Sequence, residues 1–137
     1  MSAAADREIA RRFIEEVWNG GDLALAEALL DPALVNHDPD GQTTDYAGFL
    51  AFIRKTREAL PDIRFTIDDM LAEDDKVATR VTIQASQSQA GGDSAVAQPV
   101  AWSGIGIIRV KDGRIVEQWA DTDSIGTAID ALNPQLG

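Results

Sequence analysis

The sequence has 137 residues, 45% hydrophobic and 26% charged, and no cysteine, which excludes disulfide scaffolds, thiolate nucleophiles and Cys-ligated zinc. Twelve Lys and Arg against 23 Asp and Glu leave a net charge of −11 near pH 7, a field that repels nucleic acid and anionic bilayers. The opening MSAAADREIARRF mixes charges of both signs, and no stretch approaches signal-peptide or membrane-span character. A cytoplasmic protein with a single domain over 1–137 is expected, without membrane or nucleic-acid partners.

In chain order, Ile9, Phe13, Ile14, Val17 and Trp18 fall at helical spacing, with Asp6 as a cap and Asn19-Gly20-Gly21 as a stop. Asp22 caps a second, shorter helix through Leu23, Ala26, Leu29 and Leu30, which Asp31-Pro32 ends. A brief Leu34-Val35 stretch leads into the polar loop Asn36-His37-Asp38-Pro39-Asp40-Gly41. A third helix is predicted from about Asp45 to Leu60, with Tyr46, Phe49, Leu50 and Ile53 on its apolar face and Pro61 beyond it.

The period then changes from helical to alternating. Ile63, Phe65 and Ile67 form one strand and Val77, Thr79, Val81 and Ile83 a second, across the acidic turn Glu73-Asp74-Asp75. From Gln84 to Gln98 the chain is small, polar and glycine-bearing, which predicts a frayed strand end and a long hairpin loop. Trp102 to Val110 and Arg114 to Ala120 form a hairpin about the turn Lys111-Asp112-Gly113. Both strands are apolar on more than one parity, so the sheet is expected to be covered on both faces, by helices on one side and with a second subunit as the candidate for the other. Helices followed by an antiparallel meander argue for an α+β fold.

Three stretches, VWNGGDLALAEALLDPALVNHDP, LPDIRFTIDDMLAEDDKVATRVT and GIGIIRVKDGRIVEQWADTDSIG, followed by a final QLG, resemble the SnoaL-like polyketide cyclase family in that order. The likeness spans nearly the whole chain, and its specificity lies in the spacing between the pieces. It implies the nuclear transport factor two-like fold: a cone of helices wrapped by a strongly curved, mainly antiparallel sheet around an interior cavity, commonly a homodimer through the outer face. It also implies ring closure on a hydrophobic polyketide-like molecule by intramolecular aldol condensation, with neither metal nor organic cofactor; relatives include hydroxylase-like proteins. The family's acid/base aspartate and assisting histidine fall at Ala120 and Gly106, and a further family histidine at Gln87. The Asn36-His37-Asp38-Pro39 loop and Asp123 keep the family pattern. Alanine cannot take a proton and glycine offers only its backbone, so the cyclase chemistry needs another carrier. A β-bulge in the last strand would move Asp121 onto the face that Ala120 otherwise holds.

Asp121 and Asp123 share the parity of Ile115, Glu117 and Trp119, so both are candidates to project into one cavity. A carboxylate set against Trp102 or Trp119 would lose hydration and become a better base near neutrality. Equally, an Asp-Thr-Asp-Ser run at a strand end is a solvated turn or a cap for a following helix, the role expected of Asp123. His37 is the one histidine, beside Asp38, and is either a proton carrier at a pocket mouth or a loop residue bonded to backbone. One histidine without neighbouring ligand spacing builds no common zinc site, so no metal is expected. Trp18, Tyr46, Phe49, Phe52, Trp102 and Trp119 are stock for lining an apolar pocket or for plain core. Gln84, Gln87 and Gln118 are candidates to orient a substrate carbonyl. Arg80 with Asp121 and a second carboxylate would parallel the arrangement in limonene epoxide hydrolases.

These residues support three readings. The first is a cofactor-independent enzyme that moves a proton on a hydrophobic molecule, with Asp121 as base, His37 or Gln87 as helper, Asp123 nearby and the aromatic residues as walls. The second is a non-catalytic ligand-binding or dimerisation module, and the third an epoxide hydrolase or hydroxylase relative.

Overall fold

A computed structural model describes residues 2–38, 40–87 and 98–122. Helix α1 (Ala3–Arg12) is capped by Ser2, four residues before the expected Asp6 cap, the Ser2 hydroxyl accepting from the Ala5 N–H at 3.1 Å. Asp6 lies buried in the first turn. The helix continues as a wider π-helical segment, Phe13–Asn19, that buries Phe13, Ile14, Val17 and Trp18. Asn19 locks the end of this segment to the sheet. Its Oδ1 accepts from the Phe65 N–H at 2.6 Å and its Nδ2 donates to the Phe65 carbonyl at 2.8 Å. Arg57 donates to the carbonyl of Trp18, satisfying a helix-end acceptor that lacks a partner within the helix.

Asp22 caps α2 (Leu23–Leu29) and Asp45 caps α3 (Tyr46–Ala59), each accepting from the N–H three residues on. The strands are β1 (Leu30–His37), β2 (Thr43–Thr44), β3 (Arg64–Glu73), β4 (Lys76–Gln87), β5 (Gln98–Lys111) and β6 (Arg114–Thr122). Their order in the single curved, unclosed sheet is β2-β1-β6-β5-β4-β3. Every pairing is antiparallel except β1 with β6. The β5–β6 turn has φ of 52° at Asp112 and 78° at Gly113, the left-handed pair that a two-residue hairpin turn demands.

β1 is longer than the Leu34-Val35 stretch suggested. It runs from Leu30, straight out of α2, through Pro32 to His37, and is held by parallel pairing with β6. Proline is tolerated because the β1–β6 register shifts between Leu30 and Val35, leaving Pro32 clear of the regular ladder.

Two interruptions of register bend the sheet and reset which residues face inward. In β3 the register with β4 shifts between Ile67 and Asp69, so Phe65, Ile67, Met70 and Ala72 turn inward while Leu71 is 68% exposed. In β6 the shift falls between the pairs Arg109–Glu117 and Val110–Ile115, placing an extra residue at Val116. Ile115, Gln118 and Ala120 therefore face the helices. Glu117, Trp119 and Asp121 face out.

The larger core cluster packs the helices, through residues such as Phe13, Val17, Phe49 and Ile53, onto Val77, Ile108, Val110 and Ile115 of the sheet. A smaller cluster joins Ile14 and Ile63 to Val81, Ile83, Ala85 and Trp102. The outer face of the sheet is not covered by any described element at Ile105, which is 56% exposed.

Candidate functional site

A cavity of about 180 Å³ opens where the two core clusters meet. Its aromatic walls are Trp18, Phe49, Phe52, Phe65 and Trp102. The π-helical turn contributes Trp18, whose ring lies 5.0 Å from Phe65 and edge-on to Phe52 at 6.1 Å. Ile63 and Ile83 complete the apolar lining, and Ala120 occupies the β6 wall.

Among the described residues the polar lining is sparse: Asn36, His37 and Asp38 from β1 and its end, and Thr56 from α3. A relay of amides fixes the Asp38 carboxylate. Gln118, buried on β6, donates to Asn36 Oδ1 at 3.3 Å, and Asn36 Nδ2 donates to Asp38 Oδ1 at 3.2 Å. The Asp38 backbone is pinned as well: its N–H donates to the Gln42 carbonyl at 2.8 Å and its carbonyl accepts from the Gly41 N–H at 3.0 Å. Oδ2 of Asp38 accepts no hydrogen bond from the described residues. Trp102 is 8% exposed, and its indole N–H has no acceptor among the described residues.

His37 borders the cavity, yet its ring belongs to a cluster on the outer face of β6. The ring stacks on Trp119 with centroids 5.0 Å apart and planes 3° from parallel, and Nε2 lies 2.7 Å from Glu117 Oε2. Arg109 donates to Glu117 at 3.2 Å and pairs with Asp75 at 2.9 Å, and its guanidinium carbon sits 5.9 Å from the centre of the Trp119 ring. The hydrogen bond from His37, with that from Arg109, holds the Glu117 carboxyl below the usual glutamate range against an opposing effect of burial. Hydrogen bonding to Arg109 likewise lowers Asp75.

The candidates named from sequence therefore separate. Trp18, Phe49 and Trp102 line the cavity with Phe52. Trp119 lies under His37 on the other face, and Tyr46 packs at the edge of the core with its hydroxyl donating to the Glu27 carbonyl at 3.2 Å. Asp121 is exposed and borders an open depression on the outer face with Arg80, Ser103, Gly104 and Ile105. The shared parity expected of Ile115 and Asp121 fails because the Val116 bulge lies between them. That bulge is of the kind considered from sequence, but its position puts Ala120 in and Asp121 out.

Arg80 approaches Asp69 at 3.7 Å and Asp68 at 3.9 Å in this solvated setting, away from the cavity. Gln84 is exposed, and Gln87 ends β4 opposite Gln98. Asp123 and most of the 84–99 loop, residues 88–97, lie outside the described residues. Among the described residues no three His, Asp or Glu side chains gather in a metal-binding group, and no helix is long and apolar enough to cross a membrane.

The site residues that sequence reasoning passed over are Asn36 and Asp38 as cavity groups and Gln118 as their support. Alternation was the available signal. Leu34 and Asn36 are buried while Val35 is exposed, so a strand continued to His37 puts His37 with Val35.

Residues 8–130 match the model of the SnoaL-like polyketide cyclase family. The chain belongs to that family. No curated protein matches it. Among solved structures it is similar to IdmH of Streptomyces antibioticus, a candidate polyketide cyclase, at 28% identity and a TM-score of 0.81, covering 93% of this chain and 98% of that one. A candidate polyketide cyclase of Acidithiobacillus ferrooxidans aligns at 25% identity and a TM-score of 0.77, covering 98% and 99%. AclR of Streptomyces galilaeus, a candidate hydroxylase, aligns at 25% identity and a TM-score of 0.76, covering 88% and 80%. These likenesses accord with the α+β cone expected for the family.

Proposed function

We propose that this SnoaL-like protein binds a small hydrophobic carbonyl compound in the cavity and moves a proton on it, with the Asp38 carboxylate as base. The observation that carries the reading is the position of Asp38: a charged group bordering a cavity that is otherwise mostly apolar among the described residues, with one oxygen fixed by Asn36 and the other without a hydrogen-bond partner among those residues. In the reaction the C–H bond next to a carbonyl breaks, its proton passes to Asp38, and its electron pair moves into an enolate. The enolate then attacks a second carbonyl of the same molecule, or is reprotonated. In either case the proton held by Asp38 is returned, so no oxidant, reductant or cofactor is consumed. A ligand that fills the cavity expels water and strengthens the electrostatic interactions of the carboxylate.

This assignment transfers to Asp38 the role first sought in Asp121, whose side chain is exposed. His37, tied to Glu117, then serves as a rim group that orders the β1 end, not as the proton carrier.

The test is exchange of the α-protons of 1-indanone in deuterated water, followed by NMR. Acceleration over buffer is expected, and Asp38→Asn should reduce it by about 10²-fold or more, the usual contribution of a positioned general base. Undiminished exchange in that variant would exclude Asp38. A second reading, binding without turnover, is favoured by Gly106 and Ala120 at the family's acid/base positions. It is the outcome if 1-indanone binds and is not exchanged.

A further inference from the structure

We infer that the cavity selects a compact neutral molecule of one or two rings bearing an acceptor oxygen, and that the Trp102 N–H is the donor that recognises that oxygen. The inference rests on the cavity being a ligand site, and it adds the class of ligand and a specificity residue.

Size supplies the first limit. Dry cavities of about 150 Å³ hold a single benzene ring, whereas pockets for larger ligands span roughly 300–1,000 Å³. At about 180 Å³ the cavity fits one ring with a fused neighbour or a short substituent, well short of a four-ring skeleton. Aromatic rings on several sides favour a flat guest.

Charge supplies the second. Among the described residues no Lys or Arg lines the cavity, Asp38 does, and the whole chain carries −11. A carboxylate or phosphate ligand would be desolvated against a like charge with no cation to meet it.

The third limit comes from Trp102. A buried N–H without a partner is costly and uncommon, because most buried donors find an acceptor. Its partner on β4, Ile83, has an apolar side chain and supplies none, and Trp102 is itself part of the cavity wall. A ligand carbonyl pressed against this wall, with a small rotation of the indole, satisfies the donor. An ammonium cannot, since it accepts no hydrogen bond. The neutral carbonyl compound is thus the guest that answers Trp102 and Asp38 together.

Four probes on one carbon frame test this by NMR titration of the full-length protein: indane, 1-indanone, 1-aminoindane as its ammonium, and indane-1-carboxylate. The ketone is expected to bind about tenfold more tightly than indane, the effect of one well-made hydrogen bond, and the carboxylate more weakly than either. Trp102→Phe, which keeps a ring and removes the donor, should reduce the ketone's advantage to less than threefold while leaving indane binding in place. An unchanged ketone advantage in Trp102→Phe overturns the role of Trp102, even if Asp38-dependent exchange persists. Tightest binding by the ammonium, or no binding by any probe, overturns the ligand class. Selective ketone binding without exchange leaves this inference standing and removes only the proton-transfer reading.

Discussion

Replacing Ala120 by Asp tests the geometry of β6 more sharply than removing any native group. The bulge at Val116 turns position 120 toward the helices, where Ala120 stands in the cavity wall opposite Gly106 of β5. A new carboxyl there meets Trp102 and other apolar wall groups and shares the cavity with Asp38. Loss of hydration and like-charge repulsion both favour its neutral form, so its folded pKa rises above the unfolded value. A rise on the order of 1–2 units corresponds to about 1.4–2.7 kcal/mol of destabilisation once the group is ionised in the folded state. The sign follows from linkage: the cost is absent below the unfolded pKa of about 3.9, grows as pH rises, and is complete above the folded pKa. Urea unfolding of Ala120→Asp and the parent protein at pH 5 and pH 8 should therefore show a larger gap at pH 8. Asp121→Ala is the control, expected to stay within about 0.5 kcal/mol at both pH values because that side chain is solvated. If Ala120→Asp is neutral and independent of pH while Asp121→Ala is costly, the assignment of the two faces is reversed and the bulge lies elsewhere.

Glu117→Gln removes the charge that joins His37 to Arg109, and the variant should lose about 1–2 kcal/mol, a fall in Tm of about 3–8 °C by calorimetry. Because Glu117 and Asp75 are both held below their ordinary values of 4.5 and 3.8, their contributions are complete above those values and disappear as pH falls through the lower folded ones. The parent should thus lose stability more steeply than Glu117→Gln below about pH 4.5, and parallel pH curves would contradict the network. Ile53→Ala, at a site with no exposed surface beneath α3, should cost about 2–5 kcal/mol in chemical denaturation and leave the sheet intact by circular dichroism.

The fold was legible where local signals are strong. Helical spacing from Ile9 to Trp18, the cap at Asp22, the helix expected from about Asp45, and the alternation from Val77 to Ile83 all correspond to observed elements. The turn at Asp112-Gly113 does so as well. β1 was cut short for a physical reason: Asp31-Pro32 and the polar Asn36 read as loop signals, and the strand's stabilisation comes from β6, some eighty residues away in sequence. A parallel pairing of that range leaves no local mark beyond the alternation of Leu34, Val35 and Asn36.

The site was less legible because side-chain facing on a strand is a parity, and one inserted residue inverts it. Counting back from Asp121 to Ile115 gives the same face on an unbroken strand. With the extra residue at Val116, Ile115 is buried and Asp121 exposed. A similar break in β3 lets Met70 and Ala72 turn inward after Ile67 while Leu71 turns out. On β1, by contrast, alternation is unbroken from Leu34 to His37, so Asn36 reaches the buried amide of Gln118 and His37 reaches Glu117 and Trp119 on the opposite side. The inward carboxylate is consequently found just beyond the end of β1, held by Asn36, while the outward aspartate of β6 stands in solvent. The two strands run parallel, pairing His37 with Trp119, so Ala120 and Asp38 lie one step beyond that pair and both border the cavity. A carboxylate supplied from either strand would serve the same cavity, and in this chain β1 supplies it.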